Sequence, residues 1–196
     1  MSRIIAGRGK GRRLKTPGGL ETRPTGARVK QTLFDILAPV LPGSRFLDAF
    51  AGAGGIGLEA RSRGASKVVL VDVSAAAVAA IKENLRALEG LGGDAQVFRQ
   101  DARVALPALA DAGHRFDVVY LDPPYDSDLY EPLLQLADRV LAHDGLVVAE
   151  HFHKRALPET IGRLARAREV RVGDHRLTFY RRHHEAAPSG PSGRQE

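Results

Sequence analysis

Asp122, Pro123, Pro124 and Tyr125 follow directly on the apolar run Val118-Val119-Tyr120-Leu121. The run has the length and composition of a buried strand, so the four residues fall where that strand ends. Ligands of open α/β sheets gather at the carboxyl ends of strands. A carboxylate there accepts hydrogen bonds from an amine. Each proline fixes its own φ and carries no N–H, so the carbonyls can be held toward the same amine. The tyrosine offers a flat stacking face. The set suits a planar ring bearing an exocyclic NH2. A plain proline turn with Asp122 as a cap would use the same residues, and the rest of the chain has to decide between the two.

A second constellation lies upstream. Phe46-Leu47-Asp48-Ala49-Phe50-Ala51-Gly52-Ala53-Gly54-Gly55-Ile56-Gly57 joins an apolar run to a helical pattern. Gly52, Gly54 and Gly57 form G-x-G-x-x-G, which alone would equally suit a dinucleotide pyrophosphate on a helix N-terminus. Asp48, four residues before the first glycine, would repel a pyrophosphate but attract a ligand carrying an ammonium and a sulfonium. Asp72 ends the next apolar run, where a two-oxygen acceptor can hold both hydroxyls of a ribose. Asp101 follows a third run, where it reads as the N-cap of the helix from Ala102. Four acids, Asp48, Asp72, Asp101 and Asp122, therefore stand at four successive strand ends.

The elements that must position them alternate. Strands are predicted over 45–50, 67–73, 95–99, 116–121 and 145–150. Helices are predicted over 56–63, 75–88 (with Ser74 as N-cap), 102–110 and 129–141. Such alternation implies a parallel, doubly wound sheet. Residues 155–164 read as helical, and 167–172 with 176–181 as a closing antiparallel pair around Gly173-Asp174. Upstream, 3–7 and 13–17 read as strands of a small basic hairpin, and a helix begins with Thr25 as its cap and runs to residue 38. The domains expected are an arm over 1–24, a catalytic domain over 25–182 and a disordered tail over 183–196.

At 196 residues and 43% hydrophobic content the chain can bury a substantial core. It has no cysteine, which excludes disulfides, thiolate metal sites and cysteine nucleophiles. No membrane span or signal-type apolar stretch is visible, so a cytoplasmic protein is expected. The net charge of +6 is unevenly placed: residues 1–30 hold nine basic side chains and one acid, leaving the remainder at −2. A concentrated basic arm reads as a contact for phosphate backbone, with Arg8, Lys10, Arg12 and Arg13 at its centre. His151 and His153 form H-x-H without an evident third ligand, so no metal site is assigned.

These motifs together resemble class I S-adenosylmethionine-dependent methyltransferases that act on exocyclic amines. Over nearly the whole chain the resemblance is to the RsmD family of bacterial 16S rRNA guanine-N2 methyltransferases. The matching stretches are Arg3-Ile4-Ile5-Ala6-Gly7, Arg23-Pro24-Thr25 with Arg28-Val29, Thr32-Leu33-Phe34, residues 48–60, Asp122 to Tyr125, and Glu150-His151. The resemblance implies a seven-stranded, mostly parallel Rossmann-like sheet ending in an antiparallel hairpin, with S-adenosylmethionine as cofactor. It places Asp48 near the methionine ammonium and Asp101 at the adenine amine, and adds Phe50, Val73 and Ala102 to the cofactor site. It also makes Arg23, Thr25 and Arg28 candidate RNA contacts. The substrate implied is a guanine of small-subunit rRNA, met in the 30S subunit or an assembly intermediate by a monomeric enzyme. The chain departs from the family at Gln31, where Glu is usual, and at Asp72, where Glu is more common. The alternatives are an adenine-N6 methyltransferase acting on RNA or DNA, an NAD-dependent oxidoreductase disfavoured by Asp48, and an RNA-binding protein on an inactive methyltransferase scaffold.

Overall fold

A computed structural model describes residues 2–17, 24–124 and 128–183. Two short strands, β1 (Ser2–Arg3) and β2 (Arg13–Leu14), pair antiparallel and lead to α1 (Pro24–Leu37). Strand–helix alternation follows: β3 (Arg45–Asp48), α2 (Gly57–Ser62), β4 (Lys67–Asp72), α3 (Ala75–Ala87), β5 (Asp94–Arg99), α4 (Ala102–Asp111), β6 (Phe116–Leu121) and α5 (Tyr130–Val140). The chain closes with β7 (Leu141–Phe152), β8 (Thr160–Ile161), β9 (Leu164–Val172) and β10 (His175–Arg182).

The main sheet has eight strands in the order β5-β4-β3-β6-β7-β10-β9-β8. Its first five are parallel, and β10, β9 and β8 are antiparallel to their neighbours. The order runs outward in opposite directions from β3 and β6, so the topological switch point lies between the ends carrying Asp48 and Asp122. Period-two alternation explains how one sheet serves two helical layers. Val68, Leu70, Val118, Tyr120 and Val148 face α1, α2 and α3, whereas Val69, Val71, Val119, Leu121 and Val147 face α4 and α5.

Three expectations are corrected. The sheet has eight strands among the described residues, not seven, because β8 adds a two-residue edge. Residues 155–164 are not a helix: β8 turns through Gly162 (φ +55°) straight into β9, and the Arg166 amide donates to the Glu159 carbonyl. Thr25 is not the cap of α1, which is already helical at Pro24. Ser74 does cap α3, accepting from the Ala77 amide. No helix of the described residues is long and apolar enough to cross a membrane.

The basic hairpin is bound into the fold. Ile4 and Leu14 are buried with Val29, Leu58, Leu88 and Leu91. At its centre Glu59 of α2, fully buried, accepts from the amides of Ile5 (2.8 Å) and Ala6 (2.9 Å) and pairs with Lys30 (2.9 Å) and Arg63 (2.8 Å). Sequence reasoning missed this residue.

Candidate active site

A cavity of about 530 Å³ opens at the carboxyl ends of the parallel strands. Of the expected residues, Phe50, Gly52, Asp72, Val73, Asp101, Ala102, Asp122, Pro123 and Pro124 line it. Ala49, Gln100, Arg103 and Leu129 join them without having been expected. Tyr125 and Arg23 lie outside the described residues.

Gly52 has φ +54°, and a Cβ added there would meet open space, so the chain turns sharply and leaves its backbone bare toward the cavity. Its amide donates to Asp72 Oδ2 (2.8 Å), while Asp72 Oδ1 accepts from the Ser74 amide (2.8 Å). One lone pair of each oxygen is thereby used to fix the loop to the end of β4, and the others remain for a diol. Gly57 does not line the cavity. A Cβ there would stand 2.8 Å from Leu70 Cδ2, so this glycine lets α2 lie close on the sheet, and Gly54 packs similarly against Leu58.

Asp48 does not line the cavity itself; it ends β3 directly before the lining residues Ala49 and Phe50 and is 1% exposed. Its Oδ2 accepts from the Gly57 amide (2.9 Å), and Oδ1 is the one buried side-chain oxygen with no hydrogen-bond partner among the described residues. Burial pushes its carboxyl up to about 7, opposed by the Gly57 and Phe50 amides and reinforced by Asp72 and Glu150. An orphaned buried oxygen surrounded by other carboxylates fits a cationic group and does not fit a pyrophosphate. The residues present therefore suit S-adenosylmethionine.

Asp101 caps α4, accepting from the Arg103 amide (2.8 Å), and pairs with the Arg103 guanidinium at 2.6 Å. That hydrogen-bonded pairing holds its carboxyl below the usual carboxylate range.

Asp122 is half-buried, Pro123 buried and Pro124 exposed. Burial, then the charges of Glu150 and Asp48, raise the Asp122 carboxyl well above its ordinary value. Glu150 was noted only as part of a matching stretch, and the structure gives it a place in the site. Its carboxylate accepts from the Tyr120 hydroxyl and lies 2.8 Å from His175 Nδ1, and the Tyr130 hydroxyl donates to its backbone carbonyl (3.0 Å). Burial and the neighbouring carboxylates keep the Tyr120 phenol protonated far above its usual range. Three acids at the ends of β3, β6 and β7 thus share one desolvated region. Of the paired histidines, His151 Nε2 lies 2.8 Å from Thr178 Oγ1 and His153 Nδ1 lies 3.1 Å from the Asp174 carbonyl.

The described arm residues expected to touch RNA, Arg8, Lys10, Arg12, Arg13 and Arg28, are all exposed. Arg12 also donates to the Ala87 carbonyl (2.6 Å) and Arg8 to that of Leu91 (3.3 Å), around the C-terminal end of α3. Thr25 lies within α1, and Gln31 donates to Asp35 on the exposed face of that helix (2.6 Å).

Comparison with known proteins places the chain among relatives. The model of the family described as conserved hypothetical protein 95 matches residues 2–181. Ribosomal RNA small subunit methyltransferase D of Escherichia coli (strain K12) is 35% identical over 182 residues, covering 92% of this chain and 89% of that protein. YlbH of Bacillus subtilis (strain 168) is 42% identical over 182 residues, 92% of this chain and 98% of its own. Among solved structures, yhhF of Escherichia coli superposes with a TM-score of 0.79 at 34% identity, covering 93% of this chain and 98% of that one. A methyltransferase complexed with SAH, SMU.776, shares the fold at 14% identity and a TM-score of 0.65, over 77% of this chain and 48% of that one. Both the motifs and the extent of these matches lead to one assignment: the chain belongs to the conserved hypothetical protein 95 family, the family of ribosomal RNA small subunit methyltransferase D.

Proposed function

We propose that this protein is an S-adenosylmethionine-dependent methyltransferase that modifies the exocyclic N2 amine of a guanine in 16S rRNA, within the 30S subunit or an assembly intermediate. The observation that carries the reading is the placement of Asp122-Pro123-Pro124 in the cavity at the sheet's switch point, with the orphaned Asp48 carboxylate buried across that point behind the lining residues Ala49 and Phe50. The name of the Escherichia coli relative, a small-subunit rRNA methyltransferase, supports the substrate class.

S-adenosylmethionine supplies an electrophilic methyl group on a sulfonium. The residues of the chain do the rest. An exocyclic amine is a poor nucleophile because its lone pair is delocalised into the ring. Accepting its protons at Asp122 and at the Pro123 carbonyl favours a pyramidal nitrogen with a freer lone pair. The stiff prolines hold these acceptors in place, and Tyr125 is assigned the ring's stacking face. Orientation and proximity then supply much of the lowering of the barrier. A base held in a stacked helix has to be extruded or already unpaired to reach Asp122.

The amine grip serves adenine N6 as well as guanine N2, so the product decides. Tritiated methyl transfer to 30S subunits, naked 16S rRNA and duplex DNA, followed by digestion to nucleosides, is the test. N2-methylguanosine from small-subunit RNA is the expected product. N6-methyladenine would keep the mechanism and overturn the substrate, and no transfer to any nucleic acid would overturn the function.

A further inference from the structure

Beyond the active site, β7, β10 and β9 carry a row of side chains that the mechanism leaves unused. Arg176 stands opposite His151 of β7 on one side and opposite Arg171 of β9 on the other. The Tyr130 ring lies edge-on to His151 with centroids 6.1 Å apart, and the Arg155 guanidinium lies over Tyr130 at 5.1 Å. Tyr130 directly follows Leu129, which lines the cavity. The row therefore begins at the rim of the active site and runs outward across three strands spaced about 4.8 Å apart.

Like charges directly opposite in an antiparallel pair are destabilising. Glu169 pairs with Arg176 (3.0 Å), but it also contacts Arg166 (3.4 Å) and accepts from Thr178 (3.1 Å). Arg171 is exposed, and its Nε donates to the Gly173 carbonyl of its own turn (2.9 Å), without a carboxylate partner among the described residues. Burial, with the charges of Arg176 and Arg155 adding to it, holds the His151 imidazole below its ordinary value against the pull of the Phe152 carbonyl and Glu169, so both guanidinium fields converge there. Arg171 and Arg176 thus stand opposite each other with Glu169, already shared with Arg166, as the carboxylate beside them, and planar guanidinium groups bind phosphate through paired N–H donors.

We propose that Arg155, Arg171 and Arg176 form a phosphodiester-binding surface that holds the RNA strand adjoining the target nucleotide. The proposal rests on the reading of RNA as substrate and adds the path by which the strand approaches Asp122.

Arg171→Gln, alone and with Arg155→Gln, tests it, with Arg171→Lys as the conservative variant. The probe is a short unstructured single-stranded RNA, titrated at several salt concentrations, so binding is read independently of which base is methylated. Removing one guanidinium–phosphate pair should flatten the slope of log K against log salt by about 0.7. Affinity at low salt should fall several-fold for the single variant and about tenfold for the double, with Arg171→Lys between wild type and Arg171→Gln. Cofactor affinity by calorimetry should be unchanged, and the melting temperature of Arg171→Gln unchanged or higher, whereas a purely structural role would lower it. Unchanged RNA affinity and slope would overturn the proposal. So would weakened binding to assembled 30S subunits with unchanged binding to naked RNA, which would assign the surface to a protein partner. If the wild type makes no methylguanosine yet the slopes still flatten, the substrate reading falls and the surface stands.

Discussion

Asp122 and Asp48 have different work, although both are acids at strand ends and both are pushed up by burial. Asp122 faces the cavity, and its role is to accept from an amine. Asp122→Asn keeps the shape but turns an acceptor edge into a donor, so methyl transfer should fall by about 10²-fold or more while cofactor binding persists. Single-turnover assays beside calorimetry separate the two effects, and an unimpaired rate would remove Asp122 from the chemistry. Asp48 is tested through protons. Without ligand its carboxyl titrates at about 7, and a cationic ligand favours the ionised form. Below pH 7, cofactor binding should therefore expel a proton, and affinity should rise with pH until it levels above 7. Calorimetry in buffers of different ionisation enthalpy measures this directly, and no proton release at pH 6 would contradict it. The same linkage acts on stability in the opposite sense. The folded state holds a proton between pH 3.8 and about 7 that the unfolded chain has given up, so stability conferred by Asp48 is lost as pH rises through that window. Asp48→Asn should then raise the stability of the ligand-free chain at pH 8, by up to a few kcal/mol, while abolishing cofactor binding.

Individual elements are held in place by two buried polar side chains, Glu59 and Asn84. Glu59 joins the basic hairpin, α1 and α2. Asn84 of α3 accepts from the Lys15 amide (2.8 Å) and donates to the carbonyls of Lys15 and Ala53 (both 3.0 Å), tying the hairpin to the glycine loop. Removing one partner of a buried ion pair costs about 3–5 kcal/mol, because the others are left uncompensated. Glu59→Ala strands Lys30, Arg63 and two amides, so its denaturation midpoint should drop accordingly and its hairpin should become protease-sensitive before the core does. A midpoint within experimental error of wild type would show that water replaces the carboxylate at no cost. Neither residue was legible in the sequence. Glu59 reads as an ordinary helix acid, and its amide partners lie more than fifty residues away. The strand–helix order was legible because strands buried on both faces are continuous apolar runs, and the strand-end acids were legible because they interrupt those runs. Residues 155–164 misled because Leu157, Ile161 and Leu164 have helical spacing, while Gly162 and the pairing of β8 with β9 override it. Gln100 and Leu129 reach the cavity from the connections before α4 and α5, and Arg103 from the first turn of α4, placements that no periodic pattern encodes.

Across the whole molecule, positive charge is distributed between the two ends of the sheet. A cavity of about 490 Å³ at the end opposite the candidate active site is lined by Arg45, Arg115, Arg139, Arg163 and Arg182. Most of these guanidiniums are already engaged. Arg45 pairs with Asp117, Arg139 with Asp111, and both Arg163 and Arg182 with Asp138, while Arg115 and Arg182 also donate to carbonyls around the C-terminal ends of α4 and α5. Such pairings fasten helix ends and need no ligand. Arg8 and Arg12 lie toward the same end, because α3 starts at the cavity rim beside Asp72 and finishes where Arg12 meets Ala87. Thirteen residues of helix separate the two points, about 20 Å. The basic arm and the target base can therefore be engaged together only by an RNA large enough to wrap that flank. This makes the effect of the arm depend on substrate size. With Arg8→Gln and Arg12→Gln combined, kcat/KM on a minimal stem-loop should stay within about twofold of wild type. On intact 16S rRNA or 30S subunits it should fall about tenfold, and the salt slope should flatten by about 1 for each phosphate no longer neutralised. A small loss of melting temperature is expected in addition, since Arg12 also serves the C-terminal end of α3. Equal losses on short and long substrates would mean that the arm acts through the fold, and no loss on either would mean that it carries no part of the RNA.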